Sequence, residues 1–152
     1  MTGHLLVEEF QGRYRFLSNF YYSVILYKGK VCKYAENAYQ AEKAIDPVHQ
    51  EIIRLQPTPG KAKRKAREMQ DQGLTHSKEV WNGMRLGIME EVEEAKYRQN
   101  PNLERKLLLT GSKILEEGNT WGDKFWGICD DEGENHLGLI LMKVRDKLRE
   151  ER

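Results

Sequence analysis

The sequence is poor in cysteine, in net charge and in long apolar runs. Only two of its 152 residues are cysteine, Cys32 and Cys129, which is too few for a disulfide framework. The formal net charge is +1, so contact with a polyanion requires a local patch rather than a global field. The longest apolar run, residues 137–142, is far shorter than a membrane span, and the N-terminus does not resemble a signal peptide. We therefore expect a cytoplasmic, reducing setting without membrane contact.

Motifs for common cofactors are also missing. The histidines and cysteines show no metal-ligand spacing, so we predict no metal site. Neither a GxGxxG fingerprint nor a Walker A loop is present, and we expect no cofactor. A Ser/His/Asp triad stays open, although the sequence has no nucleophile elbow. These absences favour hydrolysis that uses carboxylates without a metal.

The apolar pattern predicts an α+β fold, predominantly helical with a small β-sheet, in one domain over residues 1–152. A chain of this length can bury a hydrophobic core without disulfide bonds or a structural metal. Strands are predicted at residues 5–10, 22–27, 30–34 and 113–116, with a tight hairpin turn at Lys28-Gly29. Cap and proline signals at Thr58-Pro59, Ser77 and Asn100-Pro101 mark helix starts. The predicted helices begin near Glu36, Pro47, Gly60, Ser77, Pro101 and His136.

Apolar spacing also predicts which helical residues face inward. On the first helix this stripe contains Tyr39, Ala41, Ala44 and Ile45, and on the second it contains Ile52, Ile53 and Leu55. On the helix that starts at Ser77 the inward residues are Trp81, Met84, Ile88, Met89 and Val92.

Glu36 is the first candidate for chemistry. It lies in the first turn of a predicted helix, where the unpaired amides and the macrodipole favour its ionised form. An ionised carboxylate can stabilise an oxocarbenium ion or activate the water that attacks it. The alternative is a plain helix-capping acid, which position alone favours.

Aromatic residues and a loop acid provide a second set of candidates. Trp81, Trp121 and Trp126 can each stack on a planar base, although tryptophans are more often core or loop anchors. Asp123 lies between two tryptophans in a loop rich in glycine and acidic residues. It could hold a ribose hydroxyl or act as a second carboxylate, and turn formation is the alternative.

The only concentrated positive patch covers residues 61–67. Lys61 is the best phosphate candidate because it lies nearest to a helix N-terminus, where amides and a lysine can act together. Lys43 could reach the same site from the helix that carries Glu36. For the other cations of this run, a solvated helix face is the favoured interpretation.

The sequence resembles the NADAR family, also known as the YbiA-like family of N-glycosidases. The matching blocks follow the expected order, cover nearly the whole chain and are specific only in combination. They are FLSNF at 16–20, YAENAYQAEK at 34–43, Trp81 with Met84 and Met89, YRQNPNL at 97–103, LLLTG at 107–111, LEE at 115–117, DKFWG at 123–127, and residues 133–145.

The resemblance implies hydrolysis of an N-glycosidic bond to ribose. Two substrate classes are associated with the family, namely ADP-ribose attached to guanine bases of DNA and phosphoribosyl intermediates of riboflavin biosynthesis. We expect ADP-ribosylated DNA as the substrate and keep the riboflavin intermediates as the alternative. A non-catalytic ADP-ribose-binding module is an alternative of another class, although the presence of both Glu36 and Asp123 favours an enzyme.

The resemblance implies roles for those residues of this chain that match the family motif. Glu36, Asp123 and Trp81 match catalytic positions. Asn37 departs from the residue that often follows the family glutamate, which implies altered base selectivity. The predicted substrate-binding residues, from the motifs and from the chain's own chemistry, are Ser18, Asn19, Phe20, Tyr39, Lys43, Lys61 and Trp126.

Overall fold

The computed structural model describes residues 5–152, which form two compact units. One unit contains residues 19–100, and the other contains residues 5–18 together with 101–152. Within these residues the fold is α+β and mainly helical, which confirms the predicted class. The strands form two separate pairs rather than one small sheet. One domain over residues 1–152 stays a prediction. No helix in the described part of the chain has the length and apolar character to cross a membrane.

The unit of residues 19–100 begins with a β-hairpin. Strands β1 (Tyr22–Tyr27) and β2 (Lys30–Tyr34) pair antiparallel, as predicted. Lys28 and Gly29 form the turn, both with positive φ, which is the conformation that two-residue hairpin turns require. One face of β1 is buried, whereas the other exposes Val24 and Leu26. The hairpin therefore has an apolar face in contact with solvent.

Side-chain amides cover the outer edge of this hairpin. Leu26 donates its backbone N–H to Gln99 Oε1 (2.7 Å), and Gln99 Nε2 donates to the Leu26 carbonyl (2.9 Å). Asn100 Nδ2 donates to the carbonyl of Val24 (3.1 Å). These bonds take the place of a third strand along β1.

Four helices complete this unit, namely α1 (Ala35–Ala41), α2 (Pro47–Arg54), α3 (Pro59–Asp71) and α4 (Lys78–Gln99). The caps of the last two are as predicted, because Thr58 accepts from the backbone N–H of Lys61 and Ser77 accepts from that of Val80. The predicted inward stripes were partly wrong. α1 ends before Ile45, which is exposed, and Ile52 and Leu55 on and after α2 are exposed as well.

Small residues allow α1 and α3 to approach closely. Ala41 and Ala44 pack against Ala62 and Ala66, and all four are buried. Because alanine has no side chain beyond Cβ, the residues that flank these contacts are brought near one another. Lys43, Lys63 and Arg67 occupy such flanking positions.

The second unit is built around a short parallel strand pair. β3 of this pair is Leu6–Val7 at the start of the chain, and its partner β4 is Ile114–Leu115. The strand predicted at residues 5–10 is thus only two residues long, and a 3-10 helix over Gly12–Leu17 follows it without a clear sequence signal. Helices α5 (Pro101–Leu109) and α6 (His136–Glu150) start at their predicted positions.

Gly138 permits α6 to lie directly against β4. A Cβ atom at this position would lie 2.0 Å from the carbonyl oxygen of Leu115. Gly138→Ala should therefore lower the free energy of unfolding by about 1–3 kcal/mol, as measured by urea denaturation. Gly87→Ala is the matched control, because its Cβ would meet nothing within 4 Å in α4 and should stabilise the helix by about 0.5–1 kcal/mol. Equal effects of the two substitutions would contradict this view of Gly138.

Candidate active site

Glu36 lies buried in the first turn of α1. The residue is only 8% exposed, and its Oε2 accepts a hydrogen bond from Gln40 Nε2 (2.6 Å). Its backbone N–H donates to the carbonyl oxygen of Asn19 (3.2 Å), which joins the start of the helix to the preceding loop. A solvent-exposed capping acid does not match this burial. Glu36 is instead a shielded carboxylate, a state that a reactive acid or base requires.

Two aromatic rings and a lysine lie on the same side of α1. The rings of Tyr39 and Trp81 have centroids 5.3 Å apart and are tilted by 54°. Lys43 Nζ lies 5.8 Å from each centroid, within range of a cation–π interaction. Glu36 and Tyr39 lie three residues apart on one face of α1, and Lys43 follows in the turn after the helix.

The charges of three further cations act on Lys43. Burial lowers the pKa of Lys43, the charges of Lys63, Arg67 and Arg85 lower it further, and Glu36 opposes the shift. Lys63 and Arg67 flank the buried alanines of α3, and Arg85 lies one turn after Trp81. We call these four residues the cationic cluster. Cations held together against their mutual repulsion are suited to an anion with more than one negative charge.

The cluster differs from the one predicted. The sequence predicts a solvated face for Lys63 and Arg67, and Arg67 is exposed as predicted, whereas Lys63 is half-buried. Arg85 was not predicted, although its four-residue distance from Trp81 on a helix could have indicated it. Lys61 is exposed at the start of α3, where its backbone N–H already donates to Thr58 Oγ1 (3.2 Å). Its contact with phosphate stays a prediction.

The loop before the hairpin contributes Asn19 and Phe20. Asn19 is 7% exposed, and its Nδ2 donates to Met89 Sδ on α4 (3.3 Å). Phe20 is partly exposed. The structure thus brings Asn19, Glu36, Tyr39, Lys43 and Trp81 together in the unit of residues 19–100, and their contacts with a substrate stay predictions.

A buried pair of charges on α4 was missed by sequence reasoning. Glu93 and Lys96 are both fully buried, and they lie on the helix face that carries Met89. Burial, against the opposing charge of Lys96 and with a smaller contribution from the charge of Glu36, raises the pKa of Glu93 to about 7. Burial also lowers the pKa of Lys96 to about 8, although Glu93 opposes this. A helix-face pattern alone gives no signal for such a pair, because glutamate and lysine are usually solvated.

Glu93 should make stability depend on pH. Its native pKa of about 7 lies above the ordinary value of 4.5, so between these pH values the native state binds more protons than the unfolded state. The contribution of Glu93 to the free energy of unfolding is therefore fully present below pH 4.5 and is lost as the pH rises through about 7. Glu93→Gln should make the fall in stability between these pH values shallower, by on the order of 2 kcal/mol.

Urea denaturation at several pH values, followed by circular dichroism, measures this difference. Glu68→Gln is the control, because Glu68 is exposed and pairs with Lys65 on the surface of α3. Parallel curves for the wild type and Glu93→Gln would contradict the raised pKa of Glu93.

Asp123, Trp126 and Ser18 belong to the other unit. Oδ1 of Asp123 accepts from the backbone N–H groups of Trp126 (2.8 Å) and Phe125 (3.1 Å), so Asp123 does form a turn. Trp126 packs edge-on against Phe125, with centroids 4.8 Å apart. Ser18 follows the 3-10 helix and is half-buried. Contacts of these three residues with a substrate stay predictions.

Asn37 has a structural contact of its own. Its Nδ2 donates to the carbonyl oxygens of Arg54 (3.1 Å) and Gln56 (3.0 Å), which satisfies the end of α2. An influence of Asn37 on base selectivity stays a prediction.

Neither cysteine has the features of a reactive thiol. Cys32 and Cys129 are both free and buried, and burial raises the pKa of Cys32 to about 11. Residues 5–152 contain no group of three or more histidine, cysteine or acidic side chains placed to hold a metal ion.

The fold and the site define an α+β protein with a buried carboxylate, a pair of aromatic rings and a cationic cluster. The sequence matches the NADAR domain over residues 7–149, and the chain belongs to this family. The solution structure of the Escherichia coli protein YbiA is similar, with a TM-score of 0.81 and 30% identity, covering 97% of this chain and 90% of that one.

Curated relatives are similar over most of the chain. The N-glycosidase YbiA of Escherichia coli is 31% identical over 132 residues, which cover 86% of this chain and 79% of that protein. A riboflavin biosynthesis protein of Vibrio vulnificus is 38% identical over 136 residues, which cover 89% of this chain. The match spans only 36% of that longer protein.

Proposed function

We propose that this protein is an N-glycosidase that hydrolyses the bond between ribose and a nitrogen base, and that its substrate is ADP-ribose attached to guanine in DNA. The observation that carries this proposal is the placement of buried Glu36 beside the Tyr39–Trp81 ring pair and the cationic cluster. The relatives that are named N-glycosidases support the reaction class.

The carboxylate of Glu36 can assist the cleavage of the N-glycosidic bond. As the bond from the ribose anomeric carbon to the base nitrogen lengthens, its electron pair moves to the base and positive charge develops on the sugar ring. The Glu36 carboxylate stabilises this charge and accepts a proton from the water that attacks the anomeric carbon. The base nitrogen takes up a proton from solvent or a nearby donor as it leaves.

The aromatic rings and the cations can position the two ends of the substrate. A planar base stacks well on a ring such as Trp81. The diphosphate of ADP-ribose is a multiply charged anion, so the cationic cluster matches it better than it matches a neutral sugar. The exposed Lys61 and Arg64 also lie on α3, outside the cationic cluster, and can contact the DNA backbone.

Asp123, Ser18 and Trp126 have proposed roles that come from the family resemblance. By this resemblance we propose that Asp123 orients the ribose or the water and that Ser18 and Trp126 contact the substrate. These roles rest on the family resemblance alone. We propose a cytoplasmic location from the composition of the chain.

Phosphoribosyl intermediates of riboflavin biosynthesis are a second candidate substrate. The observation that favours them is the similarity to the riboflavin biosynthesis protein of Vibrio vulnificus. The same transition state would serve both substrates, because in each case ribose leaves a nitrogen at its anomeric carbon.

A product assay by chromatography tests the proposal. Purified protein is offered guanine-ADP-ribosylated DNA and the riboflavin intermediates side by side, with Glu36→Gln as the inactive control. Release of ADP-ribose from DNA is expected. Release of ribose 5-phosphate alone would support the second substrate, and binding without cleavage of either would support the non-catalytic module.

A further inference from the structure

Buried hydrogen-bond acceptors without partners gather around Glu36. Within residues 5–152, Oδ1 of Asn19, Oε1 of Gln40 and both carboxylate oxygens of Glu93 are buried and accept no hydrogen bond. Such an atom costs about 1–3 kcal/mol when it is left unsatisfied, so native proteins contain few of them. Four in one neighbourhood favour the binding of a group that donates hydrogen bonds there.

Two of these residues contact Glu36 directly, and the charge of Glu36 acts on the third, Glu93. Gln40 donates to the Glu36 carboxylate, and the Asn19 carbonyl accepts from the Glu36 backbone. Asn19 also contacts Met89 on α4, and Glu93 lies one turn beyond Met89 on the same face, about 6 Å along the helix. In the side-chain amides of Asn19 and Gln40 the nitrogen donates a hydrogen bond, whereas the oxygen accepts none. A group that binds here must therefore donate hydrogen bonds.

We propose that Asn19, Gln40 and Glu93 form, around Glu36, an acceptor niche that binds the hydroxyl groups of the substrate ribose. This inference rests on the proposed function, because it requires a ribosyl ligand. Two neighbouring hydroxyls provide O–H donors at fixed spacing, which rigid acceptors can match.

A neutral donor fits the charges better than a metal ion does. Glu36 acts on the ammonium group of Lys43, and Glu93 acts on that of Lys96, so each carboxylate already has a cation to balance it. A divalent cation would be repelled by both ammonium groups. A hydroxyl pair satisfies the acceptors without adding charge.

The niche predicts discrimination between ribose and deoxyribose. A site built to hydrogen-bond a substrate hydroxyl rejects the analogue that lacks it, because the buried acceptors are left unpaired. The wild-type protein should therefore bind ribose 5-phosphate at least about tenfold more tightly than 2-deoxyribose 5-phosphate. Inorganic phosphate serves as a third probe, which contacts only the cationic cluster.

Isothermal titration calorimetry in the presence of EDTA, with the three probes, tests the niche. In Glu93→Gln the preference for ribose 5-phosphate should fall to within about threefold, while phosphate affinity changes less than about twofold. Asn19→Leu removes another acceptor of the niche and should also reduce the preference for ribose 5-phosphate. It replaces Glu93→Gln as the test if that variant does not fold.

Three results would overturn the proposal. They are equal wild-type affinity for the two sugars, an unchanged preference in folded Glu93→Gln, and a preference that appears only with added Mg²⁺. The product assay is independent of these titrations. If the product assay shows no cleavage but the titrations show sugar discrimination, only the proposed function fails. If cleavage occurs without sugar discrimination, only the niche fails.

Discussion

Replacing Glu36 with glutamine should lower kcat on the N-glycosidic substrate by at least about 100-fold. The amide retains the size of the side chain and an oxygen that can accept from Gln40, so the first turn of α1 should stay intact. What disappears is the negative charge that stabilises the sugar cation and the site that accepts the proton of water. The loss should fall on kcat rather than on KM, because both effects act in the transition state.

Glu68→Gln is the matched control for this substitution. Glu68 is an exposed acid on α3 that pairs with Lys65, and its loss should leave kcat within about twofold, since such surface pairs contribute little. Single-turnover kinetics on both variants, with circular dichroism to verify the fold, measures the effect. Near-normal turnover by folded Glu36→Gln would remove Glu36 from the mechanism.

Replacing Lys43 with methionine should lower kcat/KM by about 100-fold, largely through KM. Methionine retains the apolar part of the side chain that packs beside Tyr39 and Trp81, but it removes the central charge of the cationic cluster. A half-buried ammonium group contributes more to phosphate binding than a solvated one, because less water screens it.

Lys61→Met serves as the counterpart on the same surface. Lys61 is exposed, so its replacement should change kcat/KM by no more than about threefold. Steady-state kinetics at two salt concentrations separates the two lysines, since only the effect of an exposed charge is strongly screened. If Lys61→Met were the more damaging variant, the phosphates would dock at the start of α3 instead.

Local signals predicted most elements of the fold. The hairpin turn at Lys28-Gly29 and the caps Thr58 and Ser77 depend on residues close in sequence, and they were predicted correctly. The short pair β3–β4 and the 3-10 helix depend on contacts between distant segments, which no local pattern records. The exposed Ile52 and Leu55 show the same limit, because apolar spacing cannot tell which side of a helix receives a neighbour.

The site divides in a similar way. The sequence predicts Glu36, Tyr39 and Lys43 as site residues because they lie close together in one block of the family motif, and their roles stay predictions. Arg85 and Glu93 were not found, since each acquires its role from the packing of α4 beside residues far away in sequence. The burial of Glu93 and Lys96 is a tertiary property that residue type alone argues against.

The amide contacts of Gln99 and Asn100 along β1 also bear on how this protein behaves at high concentration. A hairpin with an apolar face and an open edge is a template on which further chains can add as strands. Because Gln99 occupies both the N–H and the carbonyl of Leu26, an incoming strand finds no free backbone groups at that residue. The end of α4 thus protects the chain against intermolecular sheet growth at the edge where its exposed Val24 and Leu26 would otherwise favour it.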